Sequence, residues 1–276
     1  MFSDRTIRRT AGRILLGTIG AAALTACGGG GGGNVRDAGD GSAEVNTLLV
    51  SDTLLSYGGV DVRVDLECLG DRCTMSFQGE SVTLDLDELL DAEPGDSGGL
   101  AQAGTRNGVP LGRSSDTTSV DGDRLRVDVY GGWLDASAFG VGVGHFESGR
   151  LRGLEMGYGM SIGNAPNTNP RAADGGATWR GAVVAVDTRT FGDLEGEVTL
   201  GIDDFANPDV DVEITGLAGH SAITWRNVPL RAGSFATGSD GNSIDGRFYG
   251  DTHQEAGGVF ERDRLIGAFG AKRYSQ

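Results

Sequence analysis

Apolar and polar positions alternate with period two along most of the chain. In 60–68, Val60, Val62, Val64, Leu66 and Cys68 alternate with Asp61, Arg63, Asp65 and Glu67. That is the signature of a strand with one buried face. The pattern resumes at 73–78 with Cys73, Met75 and Phe77 inward, and the four residues Leu69-Gly70-Asp71-Arg72 between form a hairpin loop. Val82, Leu84 and Leu86 predict a third strand, and Leu125, Val127 and Val129 a further one. The polar, Gly- and Ser-rich stretch 91–123 predicts a long loop, and 164–176, with Pro166 and Pro170, a linker. No long helical period appears, so the fold class is all-β.

The second half alternates more cleanly. Residues 177–187 make one strand. In 194–203, Leu194, Gly196, Val198, Leu200 and Ile202 face inward and Glu195, Glu197, Thr199 and Asp203 outward. Val210, Val212 and Ile214 alternate with Asp211, Glu213 and Thr215, and strands follow near 220–230, 233–237, 243–250, 256–261 and 264–272. Eight strands in so short a span predict a small antiparallel barrel, which closes its own edges. Residues 44–163 then form a β-rich domain ahead of it.

The first 27 residues are of another kind. Arg5, Arg8, Arg9 and Arg13 precede the apolar run Ile14–Leu24, sized for a signal sequence and too short to span a bilayer. Leu24-Thr25-Ala26-Cys27 follows and resembles the lipobox of bacterial lipoproteins. Cleavage after residue 26 predicts a mature chain lipidated on Cys27, and Gly28 after it resembles the outer-membrane sorting class. Residues 27–43, opening on six glycines, read as a flexible tether.

Composition removes several function classes. The chain of 276 residues carries a net charge of −16. Losing residues 1–26 takes away four Arg and one Asp, so the mature charge is −19. Nucleic acid and anionic lipid both demand the opposite sign. The membrane is reached only through the lipid, and Lys272 is the one lysine, so no lysine nucleophile is at hand.

Cys68 and Cys73 share the apolar face and flank one turn. Directly paired hairpin residues lie within disulfide range, and an export signal implies an oxidising compartment. A Cys68–Cys73 bridge is expected, with Cys27 taken by lipid.

Gly95-Asp96-Ser97-Gly98-Gly99 matches the string around the nucleophilic Ser of chymotrypsin-like proteases. Its chemistry needs an upstream His, whereas His145, His220 and His253 all lie downstream; the string reads as a turn. The three His lack metal-ligand spacing, and His253 is placed at an exposed hairpin tip. Asp203, Asp204, Asp209, Asp211 and Glu213 read as a solvated strand face and turn rather than a Ca²⁺ loop. No catalytic, metal or cofactor site is predicted.

The segment 243–273 carries Gly246-Arg247-Phe248-Tyr249-Gly250, then Glu255-Ala256-Gly257-Gly258-Val259-Phe260, then Gly267-Ala268-Phe269-Gly270-Ala271-Lys272-Arg273. With Trp179-Arg180-Gly181, these resemble the C-terminal barrel of transferrin-binding protein B-like surface lipoproteins, an architecture shared by the factor H-binding proteins. The resemblance implies an N-terminal β-rich handle, here 44–163, and a lipid anchor in the outer membrane. Its matched residues are structural, and transferrin binding does not carry over.

The expected function is a non-catalytic binding module for an extracellular or envelope protein, held at the outer membrane and facing outward; the periplasmic face is the alternative orientation. Loops 188–193, 204–209 and 251–255 are the expected contacts, with His253, Trp225 and Asp204 as candidate residues. The alternative function is a carrier of a small apolar ligand or haem in a lipocalin-like cavity lined by Trp179, Trp225, Phe248, Phe260 and Phe269.

Overall fold

The computed structural model describes residues 47–57, 60–64, 66–69, 72–77, 80–85, 100–120, 123–149, 151–171, 176–239 and 241–274. The signal sequence, Cys27, the tether and the Gly95–Gly99 string lie outside them.

Strands are the sole regular elements among the described residues. They are β1 (Thr47–Val50), β2 (Thr53–Tyr57), β3 (Val60–Val64), β4 (Leu66–Leu69), β5 (Arg72–Phe77), β6 (Glu80–Asp85), β7 (Ala101–Arg106), β8 (Val109–Val120), β9 (Asp123–Trp133), β10 (Ser137–Phe146) and β11 (Glu155–Gly163). Then come β12 (Ala177–Asp187), β13 (Gly192–Ile202), β14 (Asp209–Thr215), β15 (Ile223–Arg231), β16 (Ser234–Ser239), β17 (Asn242–Tyr249), β18 (Glu255–Arg262) and β19 (Leu265–Tyr274).

The strands β12 to β19 close into an eight-stranded antiparallel barrel, with β19 returning to pair along β12 from Asp187↔Leu265 to Thr178↔Tyr274. The handle is a sheet ordered β3-β2-β11-β10-β9-β8-β7, with β1 also on β11, and β4-β5-β6 make a separate three-stranded sheet. The alternating run 60–68 is therefore divided between two sheets.

One expectation is corrected. Instead of a loop, 101–120 holds the hairpin β7–β8, with Arg106 opposite Val109. Asn107 (φ 49°) and Gly108 (φ 76°) form its two-residue turn, the left-handed pair that hairpins favour. The strand β7 is almost wholly exposed, so no apolar face marks it in the sequence.

Two burial patterns distinguish the barrel strands. On β13 and β14 the inward Val198, Leu200, Val210 and Val212 are buried while Glu195, Glu197 and Glu213 are left to solvent or partly covered. On β12, β18 and β19 both faces are buried. Trp179, Val183, Ala185, Phe260 and Phe269 fill the barrel, whereas Ala182, Val184, Val186, Val259, Ile266 and Ala268 point outward. Those outward residues join Leu49, Leu54, Tyr130, Leu134, Phe139, Val141 and Val143 of the handle in one apolar cluster. Hence β12 reads as a continuous apolar run, Gly181 to Val186, rather than a clean alternation.

The handle sits close because small residues let it. A Cβ at Gly159 of β11 would come 2.7 Å from the Gly267 carbonyl oxygen of β19. At Gly270, a Cβ would overlap the Phe139 ring and come 2.8 Å from Leu134 Cδ1.

The cysteines fall opposite each other in the β4–β5 register, Cys68↔Cys73. The bridge expected there predicts that the full chain carrying Cys27→Ala shows no free thiol without reductant. Reduction should lower stability by about 2 kcal/mol, the loop-closure value for so short a ring; two titratable thiols before reduction would refute the pairing.

Candidate functional site

The barrel interior is filled rather than hollow. Trp179 and Phe248 meet at a tilt with centroids 4.7 Å apart, Phe235 and Phe248 likewise at 5.6 Å, and each of the three is fully buried. The aromatics expected to line a cavity are packed against one another, which is how a barrel of this size closes its core.

His253 departs from its expected place. It is 9 % exposed with φ 56°, and its carbonyl accepts a 2.9 Å hydrogen bond from Trp179 Nε1. Its Nε2 lies 2.8 Å from the Thr168 carbonyl oxygen and 3.1 Å from Thr168 Oγ1. The hairpin tip folds in because the buried indole N–H needs an acceptor. The 164–171 part of the expected linker is tied down too: Asn169 Oδ1 accepts from Gly233 N at 2.8 Å and Asn164 O from Gly250 N at 2.8 Å.

The other candidates separate. Asp204 is exposed and accepts from Ala206 N at 2.8 Å, a local turn. Trp225 is 6 % exposed and meets Phe260 edge-on at 5.9 Å; its Nε1 is buried with no hydrogen-bond partner among the described residues. Of the loops, 204–209 is the most open, whereas 188–193 is pinned by Phe191, which is buried in the handle–barrel cluster at φ 50°. A bulky residue in that region is strained and is held by its surroundings.

Polar groups gather where β7, β8 and β9 meet β13. Tyr130 donates to Glu195, which also pairs with Arg106; Arg113 lies 4.0 Å over the Tyr130 ring and 2.5 Å from Asp193. Burial, then the bond to Glu195, pushes the Tyr130 hydroxyl up to about 12. The Tyr130 hydrogen bond and Arg106 hold Glu195 below the usual carboxylate range. Sequence periodicity missed this network because its members lie on strands far apart in the chain.

Beside it opens a cleft of about 360 Å³, floored by Val141, Val143 and Phe191 and rimmed by Arg113, Asp193 and His145. His145 lies 3.2 Å from Glu155 and 3.6 Å from Asp128, while Ser115 donates to Asp128 at 2.6 Å. The serine thus faces a carboxylate and not the imidazole, so the trio lacks the hydrogen bond by which a His activates a Ser.

At the opposite end, Glu255 is 1 % exposed and accepts from Ala136 N at 3.0 Å and Ser137 Oγ at 2.8 Å. Burial outweighs these bonds and raises its carboxyl above the usual range. Folding then favours the protonated acid. Its contribution is complete below the ordinary glutamate range and is lost as pH rises through the raised value. Glu195 and Asp211 are lowered, so their windows lie on the acid side. Thermal melts should therefore show stability falling as pH rises above the ordinary carboxylate range, with Asp245, also raised by burial, acting in the same direction and Glu255→Gln reducing the fall; an unchanged fall in the variant would remove Glu255 as a cause.

Among solved structures, the chain is similar to intact Ap transferrin-binding protein B with N and C lobes. That match has 14 % identity and a TM-score of 0.43, over 82 % of this chain and 46 % of that one. It is also similar to a double mutant of the vaccine antigen transferrin-binding protein B from Haemophilus parasuis Hp5, at 13 % identity and 0.43, over 83 % and 45 %. The isotype 1 protein from serogroup B Neisseria meningitidis gives 16 % and 0.37, over 82 % and 44 %. The chain spans just under half the length of these three. No family model matches, and no curated protein does.

Proposed function

We propose that this chain is a lipid-anchored outer-membrane protein that presents a rigid β body to a protein partner and performs no chemistry. The packed barrel interior carries this reading. With Trp179, Phe235 and Phe248 filling it, recognition is left to the outer surface and loops. The Leu24–Cys27 lipobox-like string and the glycine run behind it support anchoring with a standoff from the membrane. The barrel-strand motifs that resemble transferrin-binding protein B-like lipoproteins support a protein as the partner. Outward placement follows from the same resemblance.

The test is protease treatment of intact cells, probed with an antibody to the barrel and compared with lysed cells. Digestion in intact cells supports the outward-facing binding module. Protection in intact cells with digestion after lysis overturns it.

A further inference from the structure

The barrel is closed unevenly. Seven of its eight seams carry five or more Cα register pairs, but β15 and β16 pair through Leu230↔Phe235 and Arg231↔Ser234 alone. Beyond that two-pair ladder the strands part. On one side, Ile223–Val228 keeps β14 as its partner and turns its other edge to the gap. On the other, Ala236–Ser239 keeps β17. All four of those residues are exposed, as expected where neither a neighbouring strand nor a packed layer covers the chain. Half of the backbone N–H and C=O groups along each edge therefore point into a slit.

Two further observations mark this slit. Trp225 stands on β15 toward its wide end as part of the barrel core, with an indole N–H that is buried and has no partner among the described residues. Such a donor is costly to leave unmet. The two strands bordering the slit are also free of carboxylates: from Ile214 through Ser239 there is no Asp or Glu, while Arg226 and Arg231 lie within that span, and the acidic Asp211, Glu213 and Asp245 stand one strand away on β14 and β17. Arg262 adds a third guanidinium, 5.8 Å from the Trp225 ring and hydrogen-bonded at 2.7 Å to Asn242, which pairs with Ser239.

We infer that the slit between β15 and β16 is a strand-addition site for an extended, acidic segment of a partner protein. This rests on the reading of the chain as a protein-binding module and names where, and by what chemistry, it binds. The incoming backbone completes the two open ladders, the mode by which exposed sheet edges capture peptides. The arginines along the slit select carboxylates over amines at alternate positions of that segment. Arg226 already holds Asp211 at 2.8 Å and Arg262 lies 3.4 Å from Asp263, so Arg231 carries most of the selection.

The experiment uses the full chain with Cys27→Ala and three probes. One is an acetylated, amidated peptide of about eight alternating Glu and Val residues. The others are its Lys–Val counterpart and an N-methylated Glu–Val peptide that cannot donate. Hydrogen exchange should show the slit-facing half of the amides in 223–228 and 236–239 open in the free protein, against slow exchange in β12 and β19. The Glu–Val peptide should protect both segments and change Trp225 fluorescence. Arg231→Glu should weaken it about threefold or more, the scale of one exposed ion pair. The inference is overturned if both segments are as protected as β12 in the free protein, or if the Lys–Val or N-methylated peptide binds as well as the Glu–Val peptide. These readouts are independent of cell-surface location, so the slit and the surface-module reading fail separately.

Discussion

Replacing Trp179 with Ala is expected to lower the unfolding free energy by about 3–5 kcal/mol, the range for emptying a fully buried aromatic site. Trp179 has no exposed surface, packs at a tilt against Phe248 and donates to the His253 carbonyl. The substitution opens a void in the barrel core and strands a carbonyl that has folded inward to meet the indole. Urea unfolding followed by far-UV circular dichroism measures the loss. A second consequence separates this account from general damage: the Thr168–His253 contacts should loosen, so residues 164–171 and 250–254 should exchange amide hydrogens faster than β13 and β14 do. A loss below about 1 kcal/mol would mean the barrel core tolerates a cavity there.

The second large effect is expected from Gly270→Val. The residue lies on β19, where a Cβ would run into the Phe139 ring and Leu134 from the handle. Both neighbours are buried, so the Phe139 ring and the Leu134 methyl have packed surroundings to push against if they move. Overpacking of this kind costs about 1–3 kcal/mol, with the upper end expected because two sheets must separate to relieve it. The damage should concentrate at the handle–barrel boundary. Limited proteolysis should then release the barrel as a fragment from the variant before it does so from the parent. Equal stability and equal cleavage patterns would show that the seat of Phe139 has more room than its geometry implies.

How legible this was in the sequence depended on how many faces of each strand meet water. Where one face is wet, as in 194–203 and 210–215, strict alternation gives the strand and its inward residues directly. Strand β12 lacks that alternation on its buried stretch, because Val183 faces the barrel and Val184 the handle. Its apolar run marked a strand but not the docking surface it carries. The hairpin 101–120 failed for the opposite reason: with little of β7 buried, its side chains read as loop, and the Asn107-Gly108 turn was the one local signal present. The Tyr130–Glu195 network was invisible, since a contact spanning 65 positions leaves no trace in local spacing. The slit was equally hidden. Ile223–Arg231 and Ser234–Ser239 both look like ordinary strands, and only the register shows how briefly they meet.

The closing strand has a consequence for the order of events in a newly made chain. Leu265–Tyr274 pairs with both β12 and β18, and its outward Ile266 and Ala268 complete the apolar cluster beneath the handle. It follows the other described strands in chain order, so neither the barrel nor the handle's inner face can be finished until it has been synthesised. Contacts this distant in sequence form slowly and late. A polypeptide that emerges from its amino end therefore has little to gain from early collapse. Were the chain exported by the signal that its first residues resemble, it would stay threadable during the crossing, and tertiary structure would lock once its final ladder arrives.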